Sequence, residues 1–250
     1  MIKAILHGCC GRMGKMITQI AAGDDMIGIA AGVDAFGDQY DSFPVYRSLD
    51  ECPDADVLID FSNAAAMDGL FAYCGKKNLP AVICTTGLSE EQLSAMKALS
   101  EKTAVLKSAN MSVGINLLEA VLKEVAPKLA SAGFDIEIVE KHHNQKVDAP
   151  SGTALALADA ARNALDGDYE YVYDRTVRRE KRRTNEIGIS AVRGGSIVGD
   201  HDVIFAGQDE VITFSHRAYS RAVFAKGAVE AAKFLAGKGP GFYAMSDVLR

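Results

Sequence analysis

With 250 residues, 48% of them hydrophobic, the chain can bury one large or two modest cores, and a net charge of −6 speaks against nucleic acid or an anionic membrane as its main partner. The N-terminal apolar run is too short for a signal peptide and no stretch approaches the roughly 18 apolar residues of a membrane span, so cytoplasmic residence is expected. Five cysteines (Cys9, Cys10, Cys52, Cys74 and Cys84) form an odd set without CxxC pairs, which indicates neither a disulfide framework nor a structural metal.

In the first hundred residues, short β-branched apolar runs alternate with segments of helical composition. Ile2–His7, Ile27–Asp34, Asp56–Asp60, Ala81–Thr85 and Thr103–Lys107 read as strands, and Arg12–Ala22, Ala64–Lys77 and Ser89–Ser100 as helices between them. This order predicts an α/β fold with a parallel, doubly wound, Rossmann-like sheet. After Met111 the pattern changes. A long helix from about Ser112 to Ala130 leads to a strand at Phe134–Lys141, then a helix from Thr153. Three strand-like stretches follow without helices between them, at Glu186–Val192, Ser196–Ala206 and Glu210–Ser215. Such a run predicts a second α+β domain with a mixed or antiparallel sheet. A final helix near Tyr219–Leu235 returns to the first domain, giving 1–112 with 222–250 as a dinucleotide-binding domain and 113–221 as a domain for substrate binding and oligomerisation. Basic residues gather at Arg175 to Arg183, where a solvated loop is the reading favoured over a subunit contact or a substrate-facing patch.

Gly8-Cys9-Cys10-Gly11-Arg12-Met13-Gly14 follows the first strand and opens the first helix, where a pyrophosphate sits against a helix N-terminus in a Rossmann unit. Cys10 fills the middle glycine slot, with Gly11 beside it. Asp34 ends the second strand twenty positions after Gly14, where a carboxylate accepts hydrogen bonds from ribose hydroxyls. Ala35 follows it rather than a basic residue, which leans towards NADH, while Arg12 keeps NADPH open. Two further strand ends, Cys84-Thr85-Thr86 and Ser108-Ala109-Asn110-Met111, are placed to line the nicotinamide half, although Thr and Asn are also ordinary cap residues.

Residues 140–153, Glu-Lys-His-His-Asn-Gln-Lys-Val-Asp-Ala-Pro-Ser-Gly-Thr, concentrate acid/base groups, a cation and an anion-binding turn. His142 and His143 exchange protons near neutral pH, Lys146 carries a charge, and Ser-Gly-Thr opens an Ala/Leu-rich helix whose N–H groups attract carboxylate or phosphate. Any one of these residues alone reads more simply as a turn or cap, but the whole constellation suits a small, multiply anionic substrate.

Four segments together resemble one family: Gly-x-x-Gly-Arg-Met-Gly, Thr-Thr-Gly at 85–87, Ala-Asn-Met-Ser-Val-Gly at 109–114 and Glu-x-His-His-x-x-Lys-x-Asp-Ala-Pro-Ser-Gly-Thr at 140–153. The chain is similar along nearly its whole length to the 4-hydroxy-tetrahydrodipicolinate (dihydrodipicolinate) reductases of lysine and diaminopimelate biosynthesis. The resemblance implies a cytoplasmic homotetramer that reduces a cyclic dicarboxylate with NADH or NADPH and has no nucleic-acid or membrane partner. It also implies His142 and Lys146 as catalytic proton carriers and His143, Lys146, Gly152 and Thr153 as substrate ligands, to which the helix-start reading adds Ser151. Cofactor contacts are implied at Gly8, Cys9, Cys10, Gly11, Arg12, Met13, Asp34, Cys84, Thr85, Thr86, Ser108, Ala109, Asn110 and Met111. The family has glycine where this chain has Cys10, and commonly proline where it has Ala64. Catalysis in such a plan requires an interdomain cleft to close, with hinges expected near Asn110–Gly114 and Tyr219–Ala222. The competing readings are another two-domain NAD-dependent amino-acid dehydrogenase, which has no need of His-His-x-x-Lys beside Ser-Gly-Thr, and a non-catalytic NADH sensor, in which the acid/base cluster would be idle.

Overall fold

The computed structural model describes residues 1–37, 42–176 and 178–249. The chain divides into two compact units, Met1–Ser112 with Ala222–Arg250 and Val113–Arg221. In chain order the first unit contributes β1 (Ile2–His7), α1 (Arg12–Ala21), β2 (Ile27–Val33), β3 (Val45–Tyr46), β4 (Val57–Asp60), α2 (Met67–Lys77), β5 (Ala81–Ile83), α3 (Glu90–Ser100) and β6 (Ala104–Leu106). The second contributes α4 (Val113–Ser131), β7 (Asp135–His142), α5 (Gly152–Arg162), β8 (Glu170–Val172), β9 (Glu186–Arg193), β10 (Gly199–Ala206) and β11 (Val211–Ala218). The chain then returns to the first unit with α6 (Ala222–Leu235), β12 (Gly241–Tyr243) and α7 (Met245–Val248).

The first unit is a seven-stranded parallel sheet in the order β12-β6-β5-β4-β1-β2-β3. Every residue of β4, β5 and β6 is buried, because a parallel sheet covered on both faces has no side turned to water. Alternate residues feed two cores: Leu6 and Ile59 pack with Ile17 of α1 and Val229 of α6, while Ile5 and Leu58 pack with Leu70 of α2 and Leu99 of α3. The C-terminal ends of β1 and β4 lie side by side, His7 opposite Asp60, and the Gly8 loop leaves from this edge.

The second unit is a five-stranded mixed sheet in the order β11-β10-β7-β9-β8. Consecutive strands β9 and β10 do not pair; they flank β7, the first parallel to it and the second antiparallel. The short turn between them reads in sequence like a hairpin, but the strand that separates them arrived earlier in the chain. One sheet face is covered by α4 and α5, whose Ile115, Leu122, Ala154 and Leu157 pack on Ile136, Ile138, Val203 and Phe205. The basic run is anchored rather than free in solvent. Arg182 meets Asp135 at 2.7 Å and Glu137 at 3.0 Å and donates to the Ile136 carbonyl, and Arg175 and Arg178 both engage the buried Glu186. Three carboxylates of the sheet, Asp135, Glu137 and Glu186, and the carbonyls of Ile136 and Glu186 recruit these guanidinium forks. Val177, within the run, lies outside the described residues.

Candidate active site

Strand β7 alternates half-buried and buried residues, and its buried set is Ile136, Ile138, Glu140 and His142. The same face of β10 carries His201, Val203 and Phe205, with His201 opposite Glu140 in the antiparallel register. Toward one end of this face, polar side chains thus occupy positions that the rest of the strand gives to the core. A buried charge must be paired and hydrogen-bonded, and Glu140, with no exposed surface, is paired on every side. Arg193 of β9 grips it bidentately at 2.7 and 2.8 Å, His142 Nδ1 lies 2.6 Å from Oε2, and the Ser151 N–H donates to Oε1 at 2.9 Å. Burial alone would push the Glu140 carboxyl up, but the hydrogen bonds from Arg193, His142 and Ser151 outweigh it and hold the group ionised, below its ordinary value.

The partner of Nδ1 determines the tautomer. Nδ1–H of His142 donates to Glu140, which leaves the Nε2 lone pair as the ring's remaining acceptor. Burial lowers the His142 pKa, against the opposing pull of Glu140, so the ring is neutral at pH 7. His201 packs against it edge to face, with ring centroids 5.2 Å apart, and burial with the neighbouring His142 brings its pKa down to about 4. A neutral His201 Nε2 therefore accepts from the Ser151 hydroxyl at 3.1 Å, and the same hydroxyl oxygen caps α5 by accepting from the Ala154 N–H at 3.1 Å. His201 Nδ1 is buried without a hydrogen-bond partner among the described residues.

This network holds both ends of the segment between β7 and α5. Arg193 also donates to the Asp148 carbonyl, the Gly194 N–H to the His142 carbonyl and the Asn144 N–H to the Gly195 carbonyl. Lys146 reaches Asp148 at 2.8 Å, and the Lys146 N–H closes a turn on the His143 carbonyl. Ser151 is 1% exposed and its polar atoms are all directed inward, so of the Ser-Gly-Thr run it is Gly152 and Thr153 that stand at the surface. Nothing lies within 4 Å of where a Gly152 Cβ would be, and the Asp148 carboxylate accepts from the Gly152 N–H, so an anion already stands at the start of α5. His143 and Lys146 are half-buried. Glu140 opens the 140–153 motif, but neither it nor Arg193 nor His201 is given a site role by the sequence reading. The signal that would have found them is parity, since Glu140 and His142 continue the inward series of Ile136 and Ile138.

In the first unit the Gly8 loop is shaped by missing side chains. Gly8 has φ +78°, and a Cβ there would meet the Phe61 carbonyl oxygen at 2.5 Å; one on Gly14 would lie 2.3 Å from the Cys9 carbonyl oxygen. Asp34 braces the loop: one carboxylate oxygen accepts from the Cys10 N–H at 3.0 Å and the other from the N–H groups of Phe36 and Gly37. A cavity of about 880 Å³ opens here, bringing together Gly8, Cys10, Gly11 and Asp34. Cys9 is buried behind it; Arg12, Met13, Cys84 to Thr86 and Ser108 to Met111 do not line it. The Cys84–Thr86 and Ser108–Met111 turns follow β5 and β6 on the same sheet edge, joined by Lys107 Nζ donating to the Thr85 carbonyl at 2.9 Å. Burial pushes Asp60 up, yet hydrogen bonds from His7 (3.0 Å) and Ser62 (2.6 Å) bring its pKa below the usual value.

A glycine-shaped cavity at the carboxyl edge of a parallel sheet, and a second unit bearing a buried carboxylate–imidazole pair, define a two-domain pyridine-nucleotide oxidoreductase. The N-terminal and C-terminal dihydrodipicolinate reductase family models match residues 2–111 and 114–249. The chain belongs to the dihydrodipicolinate reductase family. It is 53% identical to the 4-hydroxy-tetrahydrodipicolinate reductase of Caldanaerobacter subterraneus subsp. tengcongensis, covering 100% of this chain and 99% of that one, and 49% identical to the Clostridium novyi protein of the same name over 100% and 99%. The fold matches the dipicolinate-bound dihydrodipicolinate reductase from Paenisporosarcina sp. TG-14 with a TM-score of 0.80 at 24% identity, over 98% of this chain and 97% of that one.

Proposed function

We propose that the chain reduces 4-hydroxy-tetrahydrodipicolinate to tetrahydrodipicolinate, with loss of water, in lysine and diaminopimelate biosynthesis, as the names of its relatives indicate. The observation that supports this most directly is the folding of residues 140–153, which sets a neutral imidazole, an ammonium group and a helix N-terminus that receives a carboxylate within one short, pinned segment.

The Gly8 cradle fits a dinucleotide: side chains are missing where a phosphate needs backbone, and the Asp34 carboxylate is held at the end of β2 for the ribose hydroxyls. When bound, the reduced nicotinamide supplies the hydride. The Asp34 carboxylate, followed by Ala35 rather than a basic residue, disfavours a 2′-phosphate and favours NADH, while Arg12 keeps NADPH open.

Substrate carboxylates are received by the N–H groups of Gly152 and Thr153, by the Thr153 hydroxyl and by the Lys146 ammonium, which exchanges Asp148 for the ligand. Negative charge that develops on the reduced ring is neutralised by a proton from Lys146, while His142 holds and moves a proton at Nε2 and His143 contacts the substrate. Glu140 and Ser151 keep His142 and α5 in register with one another. On the family plan the enzyme is a cytoplasmic homotetramer; among the described residues no helix is long and apolar enough to cross a membrane. The test is NADH and NADPH oxidation with enzymatically generated 4-hydroxy-tetrahydrodipicolinate. Turnover with either cofactor supports the proposal, and inertness of the folded chain with both refutes it.

A further inference from the structure

The geometry points to a second ligand for the Gly8 loop: we propose that Cys9, Cys10 and Asp34 form a site for a soft divalent cation of the Zn²⁺ or Cd²⁺ type. The two sulfurs are 3.7 Å apart. A tetrahedral centre with metal–sulfur bonds of about 2.3 Å sets its S···S edge at about 3.8 Å, so both thiols already stand at adjacent corners. The third corner is a carboxylate oxygen of Asp34, and the three ligand atoms lie within 4.8 Å of one another.

The ligands are held in place. Asp34 cannot swing away, because its oxygens accept N–H bonds from Cys10, Phe36 and Gly37. Two glycines wall in the sulfurs: a Cβ on Gly37 would come within 1.9 Å of Cys10 Sγ, and one on Gly32 within 2.6 Å of Cys9 Sγ. Cys10, Asp34 and Gly37 face the cavity, which leaves the fourth position to water. Sequence spacing conceals the set, since Asp34 lies far along the chain from the cysteine pair. Thiolate donors select Zn²⁺, Cd²⁺ and similar soft ions over Mg²⁺ and Ca²⁺. Binding exchanges two S–H protons, released to solvent, for two metal–sulfur bonds, and no electron is transferred. Asp34, once a metal ligand, is lost to a ribose, so cation and dinucleotide exclude one another; this consequence alone rests on the dinucleotide reading above.

The experiment is equilibrium dialysis of the metal-stripped full chain with Zn²⁺ or Cd²⁺, with the sulfur-to-cadmium charge-transfer absorption recorded. One equivalent with that band is expected, weakened at least about tenfold in Cys10→Ser and in Asp34→Asn, unaffected in Cys52→Ser, and not displaced by excess Mg²⁺. Cys9→Ala serves where Cys10→Ser does not fold by near-ultraviolet circular dichroism. Binding without the band, or binding undiminished in these variants, overturns the site. A cysteine-dependent band with no competition by NADH supports the cation site and overturns instead the placement of the ribose on Asp34.

Discussion

The Gly8 loop and the 140–153 segment are built on opposite principles. The loop makes room: it lacks Cβ atoms at Gly8 and Gly14, turns through φ +78°, and has one carboxylate bracing its backbone. The segment fills its space with polar groups, and a wholly buried Glu140 is satisfied by an arginine fork, an imidazole and a backbone N–H. A large polyanion is best received by bare backbone and a helix end, whereas a proton must be held at a defined atom, which requires a fixed tautomer and a fixed ring.

The division of labour is broken most severely through Lys146. Lys146→Ala should lower turnover by about 10²- to 10⁴-fold while NADH affinity, read by fluorescence titration, stays as it was. Loss of NADH binding would show that the two regions do not divide the work. Next comes Glu140→Gln, which leaves Arg193 facing a neutral amide. It should destabilise the fold by about 3 to 5 kcal/mol in urea denaturation. The variant should also move the acid limb of the kcat/KM profile to lower pH, because Glu140 is the group that raises the His142 pKa. A limb that stays in place would remove His142 from the chemistry.

Protonation tests the buried network without mutation. His201 has a folded pKa of about 4 against an ordinary 6.5, so between these values the unfolded chain binds the proton and the folded one does not. Stability therefore falls as the pH is lowered from 6.5 to 4, by on the order of 3 kcal/mol, and His142 adds to the fall in the same direction. Denaturation midpoints measured across that range should lose much of their slope in His201→Gln. Gly14→Ala should be smaller, about 1 to 3 kcal/mol for a crowded backbone, but should abolish NADH binding. The smallest effect is expected for Lys77→Ala, whose exposed pair with Asp54 contributes under about 0.5 kcal/mol.

How much of each region could be read along the chain follows from how it is made. The glycine loop is contiguous and its spacing is the signal, so Gly8, Gly11, Gly14 and the distant Asp34 were all legible. Within 140–153 the residue types announce acid/base chemistry, yet Ser151 reads as a surface ligand when it is in fact buried, its hydroxyl shared between His201 and the Ala154 N–H. Arg193 and His201 come from β9 and β10, strands that are consecutive in sequence and that β7 separates. The basic run misleads for a similar reason, as Arg182 finds its carboxylates on a strand more than forty residues earlier.

From its sequence alone this protein can be given an α/β unit with a parallel sheet, a second α+β unit, a glycine loop and a segment dense in acid/base groups, because periodicity and short motifs are local properties of a chain. Only the tertiary structure decides that Glu140 is ionised, which nitrogen of His142 is bound to it, and that Cys9, Cys10 and Asp34 converge. Protonation and coordination are set by burial and by neighbours within a few ångströms, and those neighbours are brought together by strand order rather than by position along the chain.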